Sequence, residues 1–123
     1  MARSVLLQLA RDSIQEVIEA KRTIDKPALL NEYPILGEAI RTKIKIYLND
    51  ELRCESVLYE NSMRSLLEDI IYNAKAAAFL DTKRSPLTTA EYLHCSIELS
   101  LFIPNDTGSY DVETSVDEPI INE

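Results

Sequence analysis

Residues 65–79, Ser65-Leu-Leu-Glu-Asp-Ile-Ile-Tyr-Asn-Ala-Lys-Ala-Ala-Ala-Phe79, decide the fold of this chain. Apolar side chains recur at three- and four-residue spacing, which puts them on one face of a helix. That face comprises Leu66, Leu67, Ile70, Ile71, Ala74, Ala77 and Ala78. Ser65 and Glu68 have the spacing of a capping box, which marks the start of a helix. The small residues near the end let another backbone approach closely, so we expect this helix to pack against a sheet.

Two segments before this helix and one after it read as strands. Residues 42–48 alternate apolar and polar side chains, which is typical of a half-buried strand. Asn49-Asp50 is a turn pair, and residues 51–59 return as the second strand of a hairpin. Residues 96–102 alternate again, with Ile97, Leu99 and Leu101 on one face.

Two further helices are predicted. Residues 4–21 have an apolar stripe with Ser4 as the N-cap, and their charged residues, Arg11 among them, are expected largely off that stripe. Thr88 and Glu91 form a second capping box that opens a short helix ending near His94. Residues 22–38 read as a connector, with a possible helical turn after Lys26. The fold class is therefore α+β, a small, mainly antiparallel sheet covered by two longer helices and one short helix.

Composition predicts one domain and limits its partners. The chain has 123 residues and a net charge of −8, and residues 105–123 hold six of the 21 acids and no Lys or Arg. We expect a domain over residues 1–104 and an acidic tail over residues 105–123, disordered or loosely attached. The sequence has no stripe of basic residues of the kind that nucleic-acid binding usually needs. No apolar run reaches the roughly 20 residues that span a bilayer, and no signal peptide is evident, so a cytoplasmic location is expected.

The chemical groups that could support catalysis are few. Cys54 and Cys95 are too few for a disulfide framework or a four-thiolate zinc site, and we expect reduced thiols. Cys54 is the best candidate nucleophile, although a buried small hydrophobic side chain is the favoured interpretation. His94-Cys95 with Cys54 could supply metal ligands, but adjacent residues have poor metal-ligand spacing. Glu68 and Asp69 could act as an acid–base pair, yet capping already explains them. No catalytic residue, metal or cofactor is predicted.

Three passages resemble the AMMECR family, which is named after a gene of the Alport-syndrome chromosomal region. Leu6-Leu-Gln-Leu-Ala-Arg-Asp-Ser-Ile14 is similar to the family's opening helix. Residues 67–79 resemble its central helix, most closely in the alanine-rich end. Asp81-Thr-Lys-Arg-Ser-Pro-Leu-Thr88 resembles the family loop D-P-R-F-P-P-L-T. The resemblance covers about residues 5–103 and implies a shortened and divergent member of that family.

The chain departs from the family at its signature, L-R-G-C-I-G on the second hairpin strand. The corresponding residues are Leu52-Arg53-Cys54-Glu55-Ser56-Val57, and both glycines are absent. Glycine in a strand often allows a ligand or another backbone to approach closely. Family members also continue past the last strand with a glycine-rich turn and a C-terminal helical region. If a ligand or partner site survives, the candidates are Leu52, Arg53, Cys54, Glu55, Lys83 and Arg84.

Three functions remain open. The first is a small binding or accessory protein that acts through contacts with a protein partner. The second is an enzyme or small-ligand protein, because the family it resembles is associated with Memo-like and radical-SAM proteins. The third is a structural or assembly component that associates through exposed strand edges.

Overall fold

The computed structural model describes residues 4–57 and 64–121. Within these residues, four α-helices and four β-strands follow one another in the order α1 (Val5–Glu19), α2 (Lys26–Glu32), β1 (Arg41–Leu48), β2 (Glu51–Glu55), α3 (Leu66–Phe79), α4 (Thr89–His94), β3 (Ser96–Pro104) and β4 (Tyr110–Val116). A short 3-10 helix, Pro34–Gly37, lies between α2 and β1. The α+β class predicted from the sequence is confirmed.

The sheet has the strand order β2-β1-β3-β4, and each neighbouring pair is antiparallel. Alternation along β1 and β3 buries one face, since Ile44, Ile46 and Ile97 are fully buried. Helix α3 packs on β1, and α1 packs on α3. The core therefore lies between one face of the sheet and the helices.

Helix α3 has the close packing that its small residues predicted. Ala74 and Ala77 are completely buried, and Ala78 is nearly so. The Ser65 hydroxyl accepts a hydrogen bond from the Glu68 amide at 3.3 Å, as a helix N-cap does. The Glu68 carboxylate lies 2.9 Å from Lys26 Nζ and links α3 to α2, so only the Ser65 half of the predicted capping box is formed among the described residues. At α4, both halves of the Thr88–Glu91 capping box are present, as predicted.

The hairpin between β1 and β2 turns through Asn49 and Asp50, which have φ angles of 53° and 64°. Two successive positive φ angles match the right-handed twist of the flanking strands, and Asn and Asp tolerate them better than most residues. Strand β2 ends at Glu55, earlier than predicted, and Val57 is 61% exposed. The predicted continuation to Leu58 and Tyr59 lies outside the described residues.

The prediction of a disordered or loosely attached acidic tail is wrong for residues 105–121. Residues 110–116 form β4, which pairs with β3 from Glu98↔Val116 to Pro104↔Tyr110. The turn between these strands contains Gly108 with a φ of 80°, and Asn105 Oδ1 accepts the amides of Thr107 and Ser109. Beyond β4, the Ile121 amide donates to Leu93 O at 2.9 Å. Strand β3 provides hydrogen-bond partners for the backbone amides and carbonyls of this segment, which a free acidic segment would not have.

The expectation that the charged residues of α1 lie off its buried stripe is wrong for Arg11, which is only 1% exposed. Its guanidinium pairs with Asp117 and also donates to the Cys95 carbonyl at 2.7 Å. Val17, an apolar residue near the end of the same helix, is 44% exposed. No helix in the described parts of the chain combines the length and the apolarity needed to cross a bilayer.

Candidate functional site

The segment that carries the family signature lies on β2, at one edge of the sheet. Ile46 faces Cys54 across the hairpin, whereas the next residue, Tyr47, faces Leu52. Arg53 is therefore the extra residue of a β-bulge. A bulge re-aims side chains relative to regular alternation, so the position of Arg53 could not be read from a period of two.

Arg53 is held by the loop before α4 and by the first turn of α4. Its Nε and Nη2 donate to the two carboxylate oxygens of Glu91 at 2.9 and 3.0 Å. The same guanidinium donates to the carbonyls of Ser85 and Pro86 at 3.0 and 3.1 Å. The bidentate bond to Arg53, with the Thr88 amide, lowers the pKa of Glu91 to about 2. Arg53 thus links β2 to α4 and has its donor groups directed at protein acceptors.

Cys54 points into the core and has no exposed surface. Desolvation by burial raises the pKa of its thiol to about 12, so it is protonated at neutral pH. Cys95 is also fully buried, and both cysteines are free thiols. A buried neutral thiol has the properties of a packing residue, which was the favoured interpretation of Cys54.

Glu55, Lys83 and Arg84 line one groove of about 290 Å³ beside the end of α3. The Glu55 carboxylate lies 3.1 Å from Lys43 Nζ and 3.6 Å from Arg84 Nη1. Asp81 accepts from Arg84 at 3.0 Å and from the Glu55 amide at 3.1 Å. Acidic and basic side chains alternate around this groove. A bound anion or cation would therefore lie beside charges of both signs.

The six candidates named from the sequence are thus in different surroundings. Glu55, Lys83 and Arg84 share the groove, Arg53 is bonded to Glu91, and Cys54 lies in the core. Leu52 faces Tyr47 across the hairpin. The chain therefore brings half of the candidates together and separates the others.

The other catalytic and metal hypotheses lack the necessary geometry. Asp69 is buried, and its Oδ2 accepts from the Thr42 amide, the Thr42 hydroxyl and Asn73 at 2.7, 2.8 and 3.0 Å. Glu68 lies at the surface beside Lys26, so the two carboxylates are not a pair. Within residues 4–57 and 64–121, no group of three His, Cys, Asp or Glu side chains is placed to hold a metal ion.

A further exposed surface is the sheet face opposite α1 and α3, which we call the outer face. It consists of the residues of β1 and β3 that alternate with the buried ones, the even-numbered residues of β4, and Glu55 of β2, which is paired with Lys45. Three contacts fix these side chains on one face: Lys43 with Glu55, the Ser100 hydroxyl with the Thr114 hydroxyl at 3.0 Å, and the Arg41 guanidinium 4.6 Å from the Tyr110 ring centre.

The outer face combines a basic column with an apolar row. The column consists of three residues at alternate positions of β1, one of the two inner strands: Arg41, Lys43 and Lys45. The row lies on β4, where Tyr110, Val112 and Val116 are 45%, 55% and 56% exposed. Sequence reasoning missed this surface. The alternation of apolar and polar residues from Tyr110 to Val116 indicates a strand. The acidic residues of the same segment favoured the prediction of a tail instead.

Comparison of the chain with known proteins shows the family to which it is related. No curated protein matches the chain. Among solved structures, the uncharacterized protein PH0010 from Pyrococcus horikoshii is similar in fold, with a TM-score of 0.70 and 23% sequence identity over 80% of this chain. The match covers 50% of PH0010, so this chain spans about half the length of that protein.

The family comparison covers nearly the whole chain. The sequence model of the AMMECR1 family matches residues 7–117, from the first helix to the aspartate that follows β4. The match includes β4 and Asp117, beyond the residues that the sequence resemblance covered. The chain therefore belongs to the AMMECR1 family.

Proposed function

We propose that this protein is a non-catalytic binding or accessory protein, a degenerate member of its family that acts through contacts with a protein partner on the outer face. The observation that carries the proposal is the row of Tyr110, Val112 and Val116, about half exposed each, beside the basic column of β1. Apolar residues grouped on an exposed sheet face are typical of surfaces that another protein covers.

The state of the signature segment supports the same proposal. Arg53 is bonded to Glu91 and to two carbonyls, and the Cys54 thiol is buried and neutral. A nucleophile or an anion-binding arginine would need to be accessible to a substrate. These side chains instead hold β2 to α4 and fill the core, which is a role in stability.

The charge distribution suggests the character of the partner. The outer face carries Arg41, Lys43 and Lys45 against Glu55 and Glu98, whereas the whole chain has a net charge of −8. A partner with apolar side chains and a few carboxylates would complement the apolar row and the basic column of this face. Electrostatic complementarity of this kind selects partners and raises association rates.

A second candidate is an enzyme or small-ligand protein of a Memo-like or radical-SAM pathway. One observation favours it: a groove of about 700 Å³ between the hairpin turn and α4 has Tyr47, Glu91 and His94 in its lining. Glu91 is already bonded to Arg53, however, and this leaves Tyr47, Asp50 and His94 as the lining groups available for proton transfer.

The test is affinity capture with two baits of matched chemistry. Lys45→Glu with Tyr47→Ser alters the outer face, and Lys21→Glu with Tyr72→Ser makes the same changes on the helical side. We expect one protein to bind the wild type and the helical-side bait and to be lost from the outer-face bait. Equal loss from both baits would contradict the proposal, provided that circular dichroism shows both to be folded.

Purified partner and purified chain then give the affinity by calorimetry. The outer-face double variant should weaken binding at least tenfold, which is within the range seen when central interface residues are truncated. Capture of a small molecule by the native chain, lost on His94→Ala, would favour the second candidate instead.

A further inference from the structure

The two edges of the sheet differ in how well they are protected. At β2, the Ser56 amide bonds to β1, whereas the Glu55 amide points to the open side and donates to the Asp81 carboxylate at 3.1 Å. The bulge at Arg53 further interrupts this edge. Bulges and covering loops are the devices that keep an edge from pairing with another chain. Edge β2 is therefore closed.

Strand β4 is the other edge, and all seven of its residues are exposed. Within the described residues, the sheet has no strand beyond β4. The Asn105 amide bonds to Ser109 O, and the Asp117 amide bonds to Ile97 O. In an antiparallel pair, residues that bond to the neighbouring strand alternate with residues that do not. The bonds of Ser109 and Asp117 therefore show that the amides and carbonyls of the odd-numbered residues of β4 face β3. The amides and carbonyls of Tyr110, Val112, Thr114 and Val116 consequently point to the free edge.

A second copy of the chain could pair with this edge in three registers that align at least five of the seven residues of β4 about a two-fold axis. Each is defined by the residue on the axis: Val112, Glu113 or Thr114. In an antiparallel pair, side chains directly opposite each other are close, and like charges there are destabilising. The acids of β4 therefore discriminate between the registers.

Only one of the three registers keeps the carboxylates of β4 apart. The axis at Glu113 sets that residue against its own copy. The axis at Val112 sets Asp111 against Glu113 twice. The axis at Thr114 sets Glu113 against Ser115 and Val112 against Val116, each twice. In that register, Asp111 faces Asp117, whose carboxylate is buried against Arg11 and is turned away from the edge.

We infer that this chain forms a two-fold dimer in which β4 pairs with β4 of a second copy, with Thr114 on the axis. The two sheets become one continuous eight-stranded sheet. The valines of the apolar row then meet across the axis, and Asp111 and Glu113 disfavour the other registers. The pairing uses the backbone edge of β4 and leaves the outer face exposed, so the inference goes beyond the proposed function.

Disulfide cross-linking of cysteines introduced into the full chain reports the register directly. Cys54 and Cys95 are buried, so they should contribute little background cross-linking. We expect Thr114→Cys, which keeps both acids and both valines of β4, to form a disulfide-linked dimer under mild oxidation, at least fivefold more than Val112→Cys or Val116→Cys alone. Cross-linking of Val112→Cys alone to the same extent would indicate an axis at Val112 and would overturn the inferred register. Stronger cross-linking in an equal mixture of Val112→Cys and Thr114→Cys than in Thr114→Cys alone would indicate an axis at Glu113 and would also overturn it.

Sedimentation velocity tests the dimer without new cysteines. Thr114→Pro removes an amide that points to the free edge, so the β3–β4 bonds remain while the pairing with a second copy is blocked. The wild type should sediment as a concentration-dependent dimer, and the variant should raise the dimer dissociation constant at least tenfold. A wild type that stays monomeric up to the highest soluble concentration would overturn the inference.

The two failures are separable. A monomer that still binds its partner through Lys45 and Tyr47 overturns the dimer and leaves the proposed function standing. A dimer of the inferred register that no partner binds supports the inference and counts against the proposed function.

Discussion

The guanidinium Nε of Arg11 lies 2.7 Å from the carboxylate Oδ2 of Asp117, a residue 106 positions later in the chain. Both side chains are almost fully buried, at 1% and 2% exposure. Asp117 also accepts the Ile97 amide at 2.8 Å, and Arg11 donates to the Tyr92 carbonyl at 3.1 Å. This contact joins α1, α4, β3 and the segment after β4, and together with the β3–β4 pairing it holds the acidic C-terminal segment on the domain.

Asp117→Asn should lower the free energy of unfolding by about 3 kcal/mol, because removing one member of a buried ion pair leaves the other charge uncompensated. Urea denaturation measures the change. Glu113→Gln is the control, since Glu113 is an exposed acid of the same segment, and its effect should stay within about 0.5 kcal/mol. Equal midpoints for the two variants would show that the buried pair does not anchor the segment.

Glu91→Gln should destabilise the protein in a pH-dependent way. The pKa of Glu91 is about 2 in the folded chain, below its ordinary value of 4.5, because Arg53 and the Thr88 amide bond its carboxylate. A depressed folded pKa stabilises the protein above pH 4.5, and this contribution is lost as pH falls towards 2. Thermal melts should therefore show the largest gap between wild type and variant at neutral pH. A gap that stays constant from pH 7 to pH 2 would contradict this assignment.

Ala77→Glu should destabilise the fold by more than about 3 kcal/mol, because it would place a carboxylate in the completely buried contact of α3. Ala76→Glu, one residue earlier in the same helix, is the matched control, because Ala76 is only partly buried and lines the surface groove beside Glu55. Differential scanning calorimetry distinguishes the two. An unchanged melting temperature for Ala77→Glu would refute the packing of this face.

Both thiols should resist thiol–disulfide exchange in the native protein. Cys54 and Cys95 have no exposed surface, and burial raises the pKa of both, that of Cys54 to about 12. The reaction with a neutral aromatic disulfide at pH 7 should proceed only at the rate of opening and should become rapid in urea. Rapid reaction of one equivalent with the folded chain would reveal a nucleophile and would favour an enzymatic role.

The sequence predicts local structure well wherever one face of an element is buried. The caps at Ser4, Ser65 and Thr88 were correctly placed, and so were the alternating strands β1 and β3. These signals need only neighbouring residues, and the packing they imply is the packing observed.

The features that the sequence does not predict depend on contacts between residues that are far apart in the chain. Arg11 resembles any surface charge of an amphipathic helix until Asp117 is brought beside it. Strand β4 has no buried residue, so its order comes from backbone pairing with β3 and not from a hydrophobic face. The direction of Arg53 was hidden by a bulge that shifts the register between Ile46 and Tyr47. The candidate site was therefore predicted less well than the fold.

The central claim is that the outer face binds the partner and that the signature segment serves stability. Calorimetry with the captured partner and two folded variants, Cys54→Ala and Lys45→Glu/Tyr47→Ser, tests it most directly. We expect Cys54→Ala to bind with the wild-type Kd and the outer-face variant to bind at least tenfold more weakly. Wild-type binding by the outer-face variant together with lost binding by Cys54→Ala would contradict the claim.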